Sequence, residues 1–168
     1  PPNMLRQYAS MPYLQYCDNP GDAVTDTIDV LISNRDVTNH NSSYQYTLTQ
    51  PGGAFNKTYN GGTTVLKPFY NFGYSTYVPF AHPPVPYLFP LGTSDSASFQ
   101  ITHRVQAEDG SGFGDTISSM LNFFNYYAYD DGTPEAGYGL TPTGSMLAYR
   151  FTISKPDTLR AIQIYFHR

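Results

Sequence analysis

Between Phe99 and Val105 apolar and polar side chains change places at every residue. Phe99, Ile101, His103 and Val105 fall on one side, and Gln100, Thr102 and Arg104 on the other. A two-residue period is that of a half-buried β-strand. Glu108-Asp109-Gly110-Ser111-Gly112 follows with turn chemistry, and Asp115 to Phe123 reads as the returning strand. A hairpin alone is marginal in water, so this chain must set further strands beside it.

Such strands are legible elsewhere. Thr25 to Ser33 is predicted as a strand, with Ile28, Val30 and Ile32 alternating with Thr27, Asp29 and Leu31. Asn34 to Ser43 reads as a polar turn, and Tyr44, Tyr46 and Leu48 mark a second strand that Pro51-Gly52-Gly53 ends. Asn60-Gly61-Gly62 reads as another turn. Leu147, Tyr149, Phe151 and Ile153 form one more alternating run, and Leu159 to Phe166 the last, after a Lys155-Pro156-Asp157 turn.

Composition agrees. Aromatic residues make up 16% of the chain and charged ones 13%, too apolar for a disordered segment. With 14 Gly and 14 Pro a helical bundle is disfavoured, and helix content is expected to be very low. The fold class predicted is all-β: an immunoglobulin-like sandwich over 23–125, then an incomplete, jelly-roll-like second sandwich over 126–168. Residues 1–22, with four prolines, read as a linker or extended entry segment. The strand order and count suit a small immunoglobulin-like module. Residues 67–92 interleave prolines with aromatic rings and read as a covering loop or edge segment, because proline cannot donate to a ladder.

Several functions are disfavoured. The net charge is -4 with nine Lys and Arg, so no basic face offers itself to nucleic acid. No apolar run reaches the ~18 residues of a bilayer span. Cys17 is the single cysteine, which rules out an intrachain disulfide and a zinc site of several thiolates. The chain opens Pro1-Pro2-Asn3 without initiator Met or signal-peptide pattern, and is expected to be a processed or excised piece of a longer protein.

Tyr126-Tyr127-Ala128-Tyr129-Asp130-Asp131-Gly132-Thr133-Pro134-Glu135-Ala136-Gly137-Tyr138-Gly139-Leu140 divides the two modules. Ala148-Tyr149-Arg150-Phe151 and the run Pro156-Asp157-Thr158-Leu159-Arg160-Ala161-Ile162-Gln163-Ile164-Tyr165-Phe166 follow it. Together they resemble a region of large surface proteins exported by the type IX secretion route of Bacteroidota. There the first stretch opens a jelly-roll-like β-sandwich. The resemblance covers about a quarter of the chain and implies an extracellular or cell-surface location.

Candidate sites are few. Asp130, Asp131 and Glu135 are candidate Ca²⁺ ligands, since hard cations want convergent carboxylate and carbonyl oxygens; the alternative is a solvated turn in which Asp130 caps backbone amides. Asp130 and Asp131 make a poor glycosidase pair, because adjacent side chains on a strand point to opposite faces. Tyr70, Tyr74, Tyr77 and Tyr87 could stack on sugars as an aromatic platform, or simply cover a core or domain junction. His103 reads as a core histidine with one hydrogen-bond partner. Thr27, Ser96, Thr116 and Thr158 each follow Asp and precede an apolar residue, which resembles the O-glycosylation pattern of exported Bacteroidota proteins. Asp-Thr pairs also bond backbone at strand starts.

The function expected is that of a non-catalytic structural or interaction module of a large secreted or cell-surface bacterial protein. Alternatives are a carbohydrate-binding or adhesive module, an accessory region of a secreted hydrolase, and cargo or subunit of the type IX outer-membrane translocon. Other domains of the polypeptide, or another chain, are expected to cover the edge of Leu159–Phe166.

Overall fold

The computed structural model describes residues 4–25, 32–68, 89–130, 132–133 and 139–165. Its centre is one antiparallel four-stranded sheet in the order β2-β1-β3-β4. The strands are β1 (His40–Thr49), β2 (Asn56–Leu66), β3 (Ala97–Ala107) and β4 (Gly114–Phe123). The chain is all-β in class. Two short helices, α1 (Tyr13–Asp18) and α2 (Pro20–Ala23), are the only ones among the described residues.

The predicted hairpin is present. β3 and β4 pair from Ala97↔Phe123 to Gln106↔Gly114, and β1 lies on the other side of β3 with Tyr46 opposite His103. Alternation decides the inward face: Tyr44, Tyr46, Leu48, Phe99, Ile101, His103 and Phe123 are buried. The outward face is mostly polar, with Val65 and Met120 as exposed apolar exceptions. Thr58, Thr47, Thr102 and Ser118 form a row of hydroxyls across all four strands. The Thr47–Thr58 and Thr102–Ser118 hydroxyl pairs are each 2.9 Å apart.

Two turn predictions are corrected. The expected turn Asn34–Ser43 gives way to β1 from His40, because His40 to Ser43 find partners in β2 at Leu66 to Thr63. Asn60-Gly61-Gly62 lies within β2 and makes no reversal. Tyr44 pairs with Gly62 and Gln45 with Asn60, so the register shifts there as a β-bulge. Gly62 has φ +85°, which glycine adopts without a Cβ penalty.

The largest difference concerns residues 1–22. Where the sequence predicts a linker or extended entry segment, Met4, Leu5, Tyr8, Met11, Tyr13 and Tyr16 are buried against the inward face. Pro12, at φ -61°, precedes α1, and Pro20 starts α2, where its missing N–H costs nothing. The segment is tied by backbone bonds: Arg6 N–H to Ala23 O (3.0 Å), Thr25 N–H to Met4 O (2.8 Å) and Ala128 N–H to Ser10 O (3.0 Å). Rings interlock beneath it. Tyr16 and Phe123 lie 4.7 Å apart between centroids, as do Phe89 and Phe99. Each such ring buried away from water contributes about 1.5–3 kcal/mol, which is why a proline-containing segment still packs.

The strand predicted for Thr25–Ser33 falls on residues 26–31, outside the described residues. Thr25, Ile32 and Ser33 belong to no named strand. The runs Leu147–Ile153 and Leu159–Phe166 are also corrected: residues 147–165 hold no strand. A strand is defined by a paired neighbour, and among the described residues no backbone ladder reaches this segment. No helix among the described residues is long and apolar enough to cross a membrane.

Candidate functional site

The segment after the sheet is held by side chains acting as backbone. Tyr8, from the N-terminal segment, accepts a hydrogen bond from Thr152 N–H (2.7 Å) and donates to Thr152 O (3.2 Å) through the same hydroxyl. Gln15, on α1 and fully buried, accepts from Ser154 N–H (2.9 Å) and Lys155 N–H (3.1 Å), and donates to Lys155 O (3.1 Å). Tyr129 donates to Arg150 O. Of the bonded positions, 150, 152 and 154 recur every second residue, which is the spacing of one edge of a β-strand; the bonds of Lys155 N–H and O to Gln15 break that spacing at its end. Tyr149, Phe151 and Ile153, which alternate with them, have no backbone hydrogen bond among the described residues.

The same segment carries apolar surface. Phe151 stacks on Tyr8 at 6.0 Å and lies 5.1 Å from Tyr129, yet remains 46% exposed. Tyr149 is 68% and Ile153 47% exposed. Leu159, Ile162, Ile164 and Tyr165 are all more exposed than Phe151. Contiguous exposed apolar side chains beside open backbone groups are what an added strand covers.

Asp130 sits in a turn, exposed, and accepts Gly132 N–H at 2.7 Å, as the amide-capping alternative has it. Asp131 and Glu135 lie outside the described residues. No group of three His, Cys, Asp or Glu suited to a metal occurs among the described residues. The aromatic platform of Tyr70, Tyr74, Tyr77 and Tyr87 also lies outside them. At the end of that proline-rich segment Phe89 is buried in the core, and its carbonyl accepts Tyr16 O–H at 2.8 Å.

Of the four hydroxyls that follow an aspartate, Thr27 lies outside the described residues, and Ser96, Thr116 and Thr158 are exposed. Thr116 and Thr158 each donate their own N–H to the preceding aspartate, at 2.8 and 2.7 Å. His103 is buried, with Tyr44 Oη 2.8 Å from its Nδ1; burial pushes the Tyr44 phenol well above its usual range. Cys17 Sγ accepts Gly92 N–H at 3.4 Å.

The sequence reading missed Tyr8 and Gln15. The signal that could have found them is the density of apolar residues from Met4 to Tyr16, which a free linker does not need. It also missed His40, held between Asp36 and Asp109. Each of its ring nitrogens is thus engaged by a carboxylate. Compared with known proteins, the chain matches no family model, no curated protein and no solved structure.

Proposed function

We propose that this chain is a non-catalytic structural or interaction module of a large secreted or cell-surface bacterial protein, exported by the type IX route. Its four-stranded sheet belongs to an immunoglobulin-like sandwich, and the segment from Tyr126 onward begins a jelly-roll-like one. The observation that carries the reading is the half-satisfied edge at 149–154. Side chains of Tyr8, Gln15 and Tyr129 occupy one edge of the backbone, while the other edge and its apolar side chains stay open. An extended strand laid along that edge pairs its N–H and C=O groups and covers the rings. Such a strand comes from further residues of the same polypeptide or from a partner chain.

Amide exchange tests this. In the 168-residue chain Thr152 and Ser154 are expected to be protected, and Tyr149, Phe151 and Ile153 to exchange near the open-chain rate. In the intact native protein, recovered from the cell surface, all five are expected to be protected. Fast exchange at 149, 151 and 153 in the native protein, or its recovery only from the cytoplasm, overturns the proposal.

A further inference from the structure

At one end of the sheet His40 stands between carboxylates from two different segments. Its Nε2 lies 2.7 Å from Asp36 Oδ2, and its Nδ1 bonds Asp109 Oδ2. Asp36 belongs to the loop before β1, and Asp109 to the turn between β3 and β4. Each carboxylate is fixed by its own loop. Asp36 Oδ1 accepts Val37 N–H at 2.6 Å, and Asp109 Oδ1 accepts Ser111 N–H at 2.9 Å.

An ionised carboxylate only accepts hydrogen bonds, and a neutral imidazole has a single N–H. Bonding both carboxylates at once therefore requires a proton on each ring nitrogen. After loss of one proton only one bond survives, and the other carboxylate meets a lone pair. We propose that His40 is a proton-operated latch: protonated, it ties the 34–39 loop to the β3–β4 turn, and deprotonated it lets one of them go.

The surroundings favour this role. The ring is 14% exposed, so water does not readily replace a lost bond. Thr38 Oγ1 lies 3.3 Å from Nε2 and 3.4 Å from Asp36 Oδ2. The Phe113 ring packs edge-on at 6.4 Å. Leu66, the strand partner of His40, brings no charge. Glu108, next to Asp109, is turned to the Ser43 hydroxyl, and its N–H bonds Asn41 O at 2.8 Å. The carboxylates facing the ring among the described residues are thus Asp36 and Asp109.

The bond to Asp36 first, and that to Asp109 second, raises the His40 pKa above its usual 6.5, against a smaller opposing effect of burial. With both carboxylates ionised, the latch is therefore fully closed below pH 6.5 and opens as pH rises through the folded-state pKa.

Ring ¹⁵N chemical shifts at pH 5.5 test the protonation directly, with the His40 signal assigned by its loss in His40→Gln. Both nitrogens are expected to be protonated, with a titration midpoint above 6.5. Amide exchange at 34–39 or 108–113, corrected for the intrinsic pH effect and normalised to β1 and β3, is expected to rise severalfold across that midpoint. The rise should vanish in His40→Gln. Asp36→Asn and Asp109→Asn should each lower the midpoint. A midpoint at or below 6.5, a singly protonated ring at pH 5.5, or exchange in both loops that follows the core at every pH overturns the latch; the wild-type spectra suffice if a variant fails to fold.

Discussion

The side-chain oxygen of Gln15 accepts a hydrogen bond from the backbone N–H of Ser154 at 2.9 Å, across 139 positions of sequence. The Ser154 hydroxyl returns a bond of 2.8 Å to Gln15 O. A buried amide thus does for the C-terminal segment what a neighbouring strand would do. It can both accept and donate, which a peptide unit also does.

Replacing that amide separates its two roles. Gln15→Leu keeps the volume and removes every polar contact of the side chain, leaving the Ser154 hydroxyl its bond to the backbone carbonyl of residue 15; Gln15→Glu keeps the acceptors but loses the donor to Lys155 O. A Glu carboxylate would also face Asp157 Oδ2, which Gln15 now meets at 3.4 Å. Both variants are expected to speed amide exchange at 152–155 while leaving the β1–β4 ladder protected. The local cost is about 1–3 kcal/mol, the price of a polar group left unpaired. Unchanged exchange at Ser154 in Gln15→Leu would show that the contact holds nothing.

Tyr16→Phe is expected to destabilise the whole sheet rather than one segment. Tyr16 is fully buried and its hydroxyl donates to Phe89 O at 2.8 Å. Burial holds its phenol far above the ordinary range, so it remains a donor at any ordinary pH. Phe fills the same space and leaves the Phe89 carbonyl without that partner, at a cost of about 1–3 kcal/mol. Urea unfolding reads the loss as a lower midpoint with an unchanged slope; an unchanged midpoint would refute it.

The contrast between these two residues and the hairpin explains what was legible in the sequence. Phe99 to Val105 announces itself because a strand's period is local, and its turn is spelled out by Asp109-Gly110. Tyr44, Tyr46 and Leu48 are legible for the same reason. Gln15 and Tyr8 are not, because their partners lie more than a hundred residues away and the bond is made to backbone, which carries no residue identity. The prolines at 12 and 20 signal irregular chain but not whether that chain is buried. Leu147 to Ile153 has the alternation of a strand, yet alternation reports the fitness of one run and says nothing of its neighbour. Asn60-Gly61-Gly62 misled because glycine serves a bulge as well as a reversal.

Asp109 gives the chain an acid-side signature. Bonds from Ser111 first, and from His40 after them, lower its pKa from 3.8 to about 2. A carboxyl whose folded pKa is depressed stabilises above its unfolded value, and loses that contribution as pH falls through the folded one. Carboxyl ¹³C shifts should therefore place the Asp109 midpoint near pH 2. Asp109→Asn should flatten the dependence of the urea midpoint on pH between about 4 and 2. A midpoint for Asp109 near that of a free aspartate would contradict the described contacts.

Gly114 opens β4 opposite Gln106, where the chain has just left the turn and Ala107 N–H bonds Phe113 O at 2.8 Å. A Cβ built there would meet Val105 O at 2.7 Å and Gln106 Cα at 3.5 Å. The first contact is closer than real Cβ atoms come, and it is with backbone, so no rotamer change relieves it. The hairpin would have to open at the residues that set its register. Gly114→Ala is expected to cost about 1–3 kcal/mol, as overpacking generally does. Gly21 in α2 provides the internal comparison, since nothing lies within 4 Å of its Cβ position. Gly21→Ala should be neutral or stabilising by up to about 1 kcal/mol, because alanine restricts the unfolded chain. Urea midpoints of the two variants, measured beside the parent chain, should therefore move in opposite directions or differ by the full cost of the clash. Equal midpoints would mean that the β3–β4 turn relaxes freely, and that close approach is not what requires glycine at position 114.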